Sequence, residues 1–437
     1  MYSILLKGIQ FTKLKLAFKY LKEKDDPKTG VTPFQALCIN MCATLGTGNI
    51  TGVAVAIALG GPGALIWMIM VAIIGMPIKY VEGYLAIRYR KKTPTNIVGG
   101  PYGYIEYGLG RSFKPLAKIF ATFGLLSSMF GIGTLIQMNS IVEATNNVFY
   151  SLNNTITLFN KSISIYSLII TIVVVILTAL ITIGGIKKIG SICEYLVPIM
   201  GFIYITICLI IIITNIKYLS NTIYIMFKLA FNNKALLGGF VGISIKNTIQ
   251  QGISKGVFTT EAGLGSSAIA SSMSSSDNPV KIGLTQMLST LLGTIIVSLL
   301  TGICVLITNA HLQNLEGIDI TTYAFSVGLP FKNQNIALIL ILICITCFAF
   351  TTIIGWNLYG LKCLNYLTNN KIIIKTFQWS YIFILFIGLF LNTTVVWDIS
   401  DILNGLMAIP NLIAITLLNK QVVKETNLYF KKEKWID

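Results

Sequence analysis

The chain has 437 residues, of which 54% are hydrophobic and only 11% are charged. Soluble domains carry about a quarter charged residues, so this composition excludes a soluble protein with a single apolar core. Charge-free runs such as 167–183 and 195–213 approach the ~20 apolar residues that a bilayer-spanning helix needs. The composition therefore predicts an all-α polytopic membrane protein whose main partner is the lipid bilayer.

The net charge of +17 is concentrated in clusters between apolar segments, which argues against a nucleic-acid-binding surface. The alternate connections are poor in Lys and Arg, and the connection 146–162 holds only Lys161. This alternation is the positive-inside pattern, which predicts an inner-membrane protein with both termini in the cytoplasm. The basic clusters, all cytoplasmic in this topology, lie at 7–28, 88–92, 111–118, 187–188 and 420–434.

Hydropathy divides the chain into ten apolar segments, and an even number keeps both terminal basic clusters on one side. The first and sixth segments open two five-segment halves, predicted as repeats at 34–215 and 216–419. A basic N-terminal segment, 1–33, and a basic tail, 420–437, flank these repeats. The predicted spans are 34–59, 63–88, 115–147, 164–184, 191–215, 238–272, 281–309, 335–363, 371–391 and 398–419.

Segments one and six are each interrupted by glycine and polar residues, at 46–49 and at 259–267. Glycine permits non-helical backbone, which is tolerated at membrane depth only where it is buried or lines a cavity. Close packing between helices would also explain a single glycine-rich interruption. Paired interruptions at corresponding positions in two halves favour the substrate site of a transporter.

A broken helix presents free amides at the start of its second half and free carbonyls at the end of its first half. The amides and the positive end of the helix dipole attract an anion, so Thr47, Gly48 and Asn49 are expected to face a carboxylate. Backbone and hydroxyl oxygens suit a hard cation such as Na⁺. The residues expected to supply such oxygens are Thr44, Leu45 and Gly46.

Segment eight carries two adjacent hydroxyl groups, on Thr351 and Thr352, followed by Trp356. The hydroxyls either bond back to their own helix or bind Na⁺, and Trp356 either packs in the core or forms a wall of the pocket. The chain has no G-x-x-x-x-G-K-[ST] phosphate loop, and its single His311 lies in a connection. An enzyme or an ATP-driven pump is therefore not expected.

A carboxylate inside a membrane segment is costly, so Glu261 in segment six is a functional candidate. It is expected to bind an ion, to pair with Lys246 or Lys255, or to cap the broken helix, and the cap is the preferred interpretation. Glu82, close to Lys79 in sequence, is interpreted as an interfacial charge at a cytoplasmic helix end.

Motifs that run in order through nearly the whole chain resemble the alanine or glycine:cation symporter family. They are Gly46–Ile50 with Gly52–Ala54, Ala58–Ala64, Gly99–Pro101, Gln137 with Asn139 and Ser140, Gly184–Lys187, Gly256–Phe258 with Glu261–Ser266, Gly355–Trp356 and Asn404–Asn411. The resemblance implies a LeuT-like five-plus-five inverted repeat with broken helices 1 and 6, alternating access and coupling to Na⁺. Family members usually have an additional spanning helix before the core, of which 1–33 resembles a remnant.

Carried over by motif, the resemblance also implies the residues of the site. Substrate would be bound by Thr47, Gly48, Asn49, Gln137, Phe258, Thr259 and Trp356. A Na⁺ site between segments one and eight would use Cys42, Leu45, Thr351 and Thr352, with Thr44 near a possible second Na⁺. No organic cofactor and no obligatory protein partner are implied.

The sequence thus predicts a secondary transporter that carries a small neutral amino acid, alanine or glycine, into the cell with Na⁺. Proton coupling, or a different amino acid such as glutamine, is the first alternative within the same fold. A channel or a non-transporting receptor is the second alternative. A channel should line a continuous pore with polar or charged rings, whereas this sequence shows two localised breaks.

Overall fold

The computed structural model describes residues 1–23, 30–92, 97–149, 154–158, 161–231, 244–331, 333–391 and 393–433. The helices of the first half are α1 (Tyr2–Leu5), α2 (Ile9–Thr12), α3 (Leu14–Lys22), α4 (Pro33–Thr44), α5 (Thr51–Gly60), α6 (Ala64–Arg88), α7 (Pro101–Gly108), α8 (Lys114–Phe130), α9 (Leu135–Phe149), α10 (Ile165–Thr182) and α11 (Gly185–Thr214). Those of the second half are α12 (Leu219–Phe231), α13 (Ile245–Thr260), α14 (Ser266–Ser272), α15 (Pro279–Thr290), α16 (Leu299–Ile307), α17 (Ile318–Gly328), α18 (Gln334–Leu367), α19 (Lys371–Ile387), α20 (Thr393–Leu417) and α21 (Asn419–Glu433).

Shorter elements connect these helices. A π-helix, Leu291–Ser298, joins α15 to α16 within predicted segment seven. Two antiparallel strand pairs join β1 (Lys91–Lys92) to β2 (Ile97–Val98) and β3 (Thr155–Leu158) to β4 (Lys161–Ser164). The second pair lies mostly within the connection 146–162 that the charge pattern predicts to be external.

Within the described part of the chain, seven helical stretches are long and apolar enough to cross a membrane, when α8 with α9 and α15 with α16 are each taken as one stretch. The number is eight if the bent pair α4 and α5 also forms one span. Two predicted segments are built from helices that fall short of that length. Segment nine corresponds to α19, which has 17 residues. Segment six corresponds to α13 and α14, and its predicted first residues, 238–243, lie outside the described residues. Each of the ten predicted segments therefore has a helical counterpart.

Predicted segment three, 115–147, is divided into two helices, which the sequence analysis did not anticipate. The first helix, α8, ends at Phe130, and α9 begins at Leu135. Gly133 lies in this interruption, and a Cβ atom there would lie 2.5 Å from the Cβ of Trp356. Only glycine fits so close to α18. The closely spaced glycines Gly131 and Gly133 were therefore the sequence feature that could have predicted this interruption.

Helices differ in how much of their surface is covered by protein, and this separates the centre from the periphery. On α10 and α11 large apolar side chains point outward, with Leu180 58% and Phe202 73% exposed. Lipid tails accept such surface without cost. In contrast, α6 packs against α13, α14 and α15 and buries charged side chains near its end. The broken helices and α6 therefore form the interior that holds the candidate site.

Candidate substrate and cation site

The interruption of segment one, which we call the first break, lies between α4 and α5. Thr32 caps α4 in a reciprocal capping box with Gln35, which defines where the helix begins. The helix ends at Thr44, because Leu45 leaves the helical region with φ −84° and ψ 64°. The two halves of the segment meet at an angle of 67°. All residues of the break are buried.

Asn49 closes the carbonyl side of the first break. Its Nδ2 atom donates to the carbonyl oxygen of Thr44 at 2.7 Å. Its Oδ1 atom accepts from Ser298 Oγ at 2.9 Å. The predicted substrate residue Asn49 thus uses its amide side chain within the protein, and Ser298 is a partner that the sequence analysis missed.

Gln137, predicted from its motif, reaches the first break from α9. Its Oε1 atom accepts from both the amide and the hydroxyl of Thr47, at 3.3 and 3.2 Å. Its Nε2 atom donates to the carbonyl of Ile132 at 3.0 Å, in the interruption between α8 and α9. Gln137 therefore connects the interruption of segment three to the first break.

Gly48 lies at the centre of the first break, against the end of α13. A Cβ atom at Gly48 would lie 2.9 Å from Phe258 Cε1 and 3.8 Å from Thr259 Cγ2. The amide of Gly48 forms no hydrogen bond with any of the described residues. The structure thus brings together three predicted substrate residues around one free backbone donor.

Trp397 on α20 packs beside Phe258 and extends the aromatic surface near Gly48, a role that the sequence did not indicate. Its ring centroid lies 4.9 Å from that of Phe258, and its Cη2 atom lies 3.6 Å from the position of a Cβ at Gly52. Lys255 on α13 stands 4.4 Å from the Trp397 ring and 3.6 Å from Asp401 Oδ2. The sequence feature that could have pointed to this contact is the presence of Trp397 and Asp401 near the start of α20.

Trp356, the remaining predicted substrate residue, is fully buried on α18. It packs against Gly133 and, at a ring distance of 5.6 Å, against Tyr359. Its indole nitrogen lies close to the carboxylate of Glu261 without a well-aligned hydrogen bond. Trp356 therefore contacts the interruptions of segments three and six, and none of the described contacts places it at Gly48.

The predicted cation ligands lie where α18 passes the end of α4. Thr352 Oγ1 donates to the carbonyl of Cys42 at 3.0 Å and to that of Phe348 at 3.0 Å. A Cβ at Gly46 would lie 2.8 Å from the same hydroxyl oxygen. The Cys42 carbonyl is released from its own helix by the break, so carbonyl and hydroxyl oxygens from two helices meet at this point.

The other predicted cation ligands point elsewhere with their side chains. Thr351 Oγ1 donates to Phe348 at 2.9 Å and faces the sulfur of Met200 on α11 at 3.6 Å. Thr44 Oγ1 donates back to the carbonyl of Asn40 at 3.0 Å. Leu45 offers only its backbone carbonyl, which accepts no hydrogen bond from the described residues. The geometry thus joins Cys42 to Thr352, whereas Thr351 faces α11.

The interruption of segment six, which we call the second break, contains three residues with positive φ. Glu261 follows α13 with φ 50°, and Gly263 and Gly265 have φ values of 94° and 83°. A left-handed conformation is costly for glutamate, and glycine adopts it readily. Glu261 Oε2 accepts from the hydroxyl of Ser266, the first residue of α14, at 2.5 Å. The Glu261 carboxylate thus bonds the hydroxyl of the first residue of α14 and none of its backbone amides, so it is not a side-chain cap of that helix. Lys255, one of its expected partners, is close to Asp401 instead.

The interpretation of Glu82 as an interfacial charge is wrong, because the residue is fully buried. Its Oε1 atom accepts from the amides of Gly263 and Gly265, at 2.9 and 3.0 Å, and from Asn411 Nδ2 at 2.8 Å. Its Oε2 atom accepts from the hydroxyl of Ser267. The second break releases amides within reach of α6, and a carboxylate satisfies them. Sequence position near a helix end did not reveal this contact.

His311, the single histidine, lies in the 3-10 turn after α16, outside the spanning segments. Burial lowers its pKa to about 4, so the imidazole is neutral near pH 7. The described structure does not bring it to either break, in agreement with its interpretation as a residue of a connection.

A helical membrane chain with two broken helices that meet at a free amide belongs to the class of secondary transporters. The fold agrees: the solved structure of MhsT in complex with L-phenylalanine superimposes with a TM-score of 0.62, covering 90% of each chain at 16% identity. The predicted LeuT-like fold is therefore confirmed. The sodium:alanine symporter family matches residues 1–436, and the chain belongs to this family.

Two relatives match almost the whole chain. The sodium/alanine symporter AgcS of Methanococcus maripaludis is 38% identical over 427 residues, which cover 95% of this chain and 88% of that protein. The "Probable sodium/glutamine symporter GlnT" of Bacillus subtilis is 33% identical over 437 residues, which cover 99% of this chain and 86% of that protein. The family resemblance read from the motifs is confirmed, and the chain is a cation-coupled amino-acid symporter of the membrane rather than an enzyme.

Proposed function

We propose that the chain carries a small neutral amino acid, alanine or glycine, into the cell together with Na⁺ by alternating access. The observation that carries this proposal is the free amide of Gly48, buried in the first break beside Phe258. A buried donor without a partner costs about 1–3 kcal/mol, which a substrate carboxylate would recover while also gaining from the helix dipole.

The neighbouring groups support a small apolar substrate. Phe258 and Trp397 form an aromatic wall on one side of Gly48, and the methyl group of Thr259 lies next to them. Aromatic and methyl surface suits a short apolar side chain. The two relatives, a sodium/alanine symporter and a probable sodium/glutamine symporter, make glutamine the competing substrate.

Sodium is proposed as the coupling ion at the junction of α4 and α18. The Thr352 hydroxyl donates a hydrogen bond to the Cys42 carbonyl. A bound cation would replace this hydrogen bond and be coordinated by both oxygen atoms. The Leu45 carbonyl is the further oxygen proposed for this site. One Na⁺ gains about 2.3 kcal/mol at −100 mV. A tenfold gradient adds about 1.4 kcal/mol, so together they support accumulation of several hundredfold, roughly.

The repeats and the orientation complete the proposal. Residues 34–215 and 216–419 are proposed as inverted repeats, each with a broken helix as its first spanning segment, and 1–33 and 420–437 as cytoplasmic flanks. The charge alternation supports an inner-membrane location with both termini inside.

Uptake into proteoliposomes tests the substrate and the ion together. We expect an inward Na⁺ gradient to drive the accumulation of alanine inside the proteoliposomes. Glutamine should compete only weakly with alanine uptake. Alaninol, which lacks the carboxylate, should neither be transported nor compete, and Gly48→Leu should abolish binding because its side chain would meet Phe258. If alaninol competes as well as alanine, or Gly48→Leu transports normally, the first break does not hold the substrate.

A further inference from the structure

The two breaks differ in the hydrogen-bond partners of their glycine amides. In the first break the amide of Gly48 has no partner among the described residues. In the second break the amides of Gly263 and Gly265 both donate to the same oxygen of Glu82. The first break therefore contains a buried donor without a partner among the described residues, and the second already contains a carboxylate supplied by α6.

We propose that Glu82 is the resident anion of the second break and a positioning residue for the substrate site. This inference rests on the proposed function, in which the substrate carboxylate binds at Gly48. Glu82 does not touch that position. It acts through the end of α13, where Phe258 and Thr259 face Gly48.

The carboxylate of Glu82 accepts hydrogen bonds from four protein donors. Two backbone amides, the amide of Asn411 and the hydroxyl of Ser267 occupy its two oxygens. Asn411 also donates to the carbonyl of Gly263 at 2.8 Å, and its own Oδ1 accepts from Tyr104. Hydrogen bonds to a charged group are stronger than those to a neutral one, so this network fixes the backbone of the second break.

A second buried ionisable side chain lies close to Glu82 on the same helix. Lys79, one turn before Glu82 on α6, is fully buried and makes no hydrogen bond with the described residues. It interacts electrostatically with both Glu82 and Glu261.

The helix α6 holds the second break at two points, and this is how Glu82 reaches the substrate site. About two helical turns before Glu82 on α6, Gly75 allows close contact, since a Cβ there would lie 2.9 Å from Ala262 Cβ and 3.9 Å from Thr260. Thr260 directly follows Phe258 and Thr259 on α13. Release of the break by loss of Glu82 would therefore free the last turn of α13 and the wall that faces Gly48.

The test uses the full chain in proteoliposomes with Glu82→Gln, Glu82→Asp and Glu82→Ala. The matched control is Glu106→Gln, because Glu106 is also mostly buried but bonds Tyr366 at 2.6 Å, away from both breaks. We expect Glu82→Gln to raise the KM for alanine about tenfold or more, with a smaller change in half-activation by Na⁺. Glu82→Asp should lie between Glu82→Gln and the wild type, and Glu106→Gln should keep the wild-type KM.

A small carboxylate supplies a second readout that requires no transport. Formate should raise the melting temperature of purified Glu82→Ala and leave that of the wild type and of Glu106→Gln unchanged. Because this measurement needs no substrate, it remains informative even if the wild type fails to take up alanine, which would contradict the proposed function alone. If Glu82→Ala does not fold, the KM values of Glu82→Gln and Glu82→Asp decide.

Two results would overturn the inference. A lowered melting temperature with an unchanged KM for alanine in Glu82→Gln and Glu82→Asp would show that Glu82 only stabilises the fold. An equal effect of formate on Glu82→Ala and on Glu106→Gln would show that the second break has no specific demand for an anion.

Discussion

Adjacent hydroxyl residues on one helix face different neighbours in this protein. Successive residues of an α-helix are rotated by about 100°, so Thr351 and Thr352 cannot point to the same side. Thr352 Oγ1 bonds the Cys42 carbonyl at the first break, and Thr351 Oγ1 faces Met200 on α11. At the level of single residues, only Thr352 joins α18 to the released end of α4.

This difference predicts unequal effects of two substitutions. Thr352→Ala removes an oxygen from a buried cation site and should raise the Na⁺ concentration for half-maximal uptake about tenfold, equivalent to roughly 1.4 kcal/mol. Thr352→Ser keeps the hydroxyl and should stay near the wild type. Na⁺-dependence of alanine uptake in proteoliposomes measures this, and an unchanged dependence in Thr352→Ala would remove Thr352 from the site.

Helix packing, rather than side-chain chemistry, determines the distance across the cation site. Gly355 lies one turn after Thr352 on α18. A Cβ at Gly355 would lie 3.0 Å from the backbone nitrogen of Ala43 and 3.1 Å from its Cα. Small residues let helix backbones approach closely in membranes. The contact between α4 and α18 therefore brings the carbonyls of the first break within reach of the Thr352 hydroxyl.

Gly355→Leu should separate these two helices. Its side chain would meet the backbone of α4, and overpacking of this kind costs about 1–3 kcal/mol. We expect weaker activation by Na⁺, a higher KM for alanine and a lower melting temperature. Gly201→Leu on α11 is the matched control, since a Cβ there has nothing within 4 Å. Equal effects of the two substitutions would show that close approach of α4 and α18 is not needed.

On the scale of the whole molecule, the distribution of charge supports the proposed orientation of the chain in the membrane. In the proposed topology the basic clusters fall on the cytoplasmic side, and the strand pair β3 and β4, which lies mostly within the connection 146–162, falls on the external side. The eight cysteines are free, and all but the half-buried Cys347 are buried. The wild type should therefore react little with membrane-impermeant thiol reagents.

This arrangement makes the proposed topology measurable. Asn154→Cys introduces an exposed thiol before β3, and we expect an impermeant maleimide to label it in intact cells. Lys431→Cys introduces an exposed thiol in α21 and should be labelled only after the membrane is opened. The reverse result would invert the proposed orientation while leaving the fold unchanged.

The sequence alone determined the properties that depend on composition and local pattern. Long apolar runs predict spanning helices because a bilayer offers no partners to exposed backbone groups. Glycine at 46–49 and 261–265 predicted both breaks, because few other residues adopt the backbone that a break requires. These features are local, so one sequence was sufficient to place them and to indicate the family.

Only the tertiary structure decided which groups meet across the breaks. In the sequence Glu261 lies within segment six and Glu82 lies near a helix end, yet it is Glu82 that satisfies the amides of the second break, from a different helix. Trp397 forms the wall that faces Gly52, whereas Trp356 packs against Gly133. Such contacts join residues far apart in the chain, and their geometry depends on how closely whole helices pack. A local pattern holds no information about that distance, which is why the sequence predicted the breaks but not all of their partners.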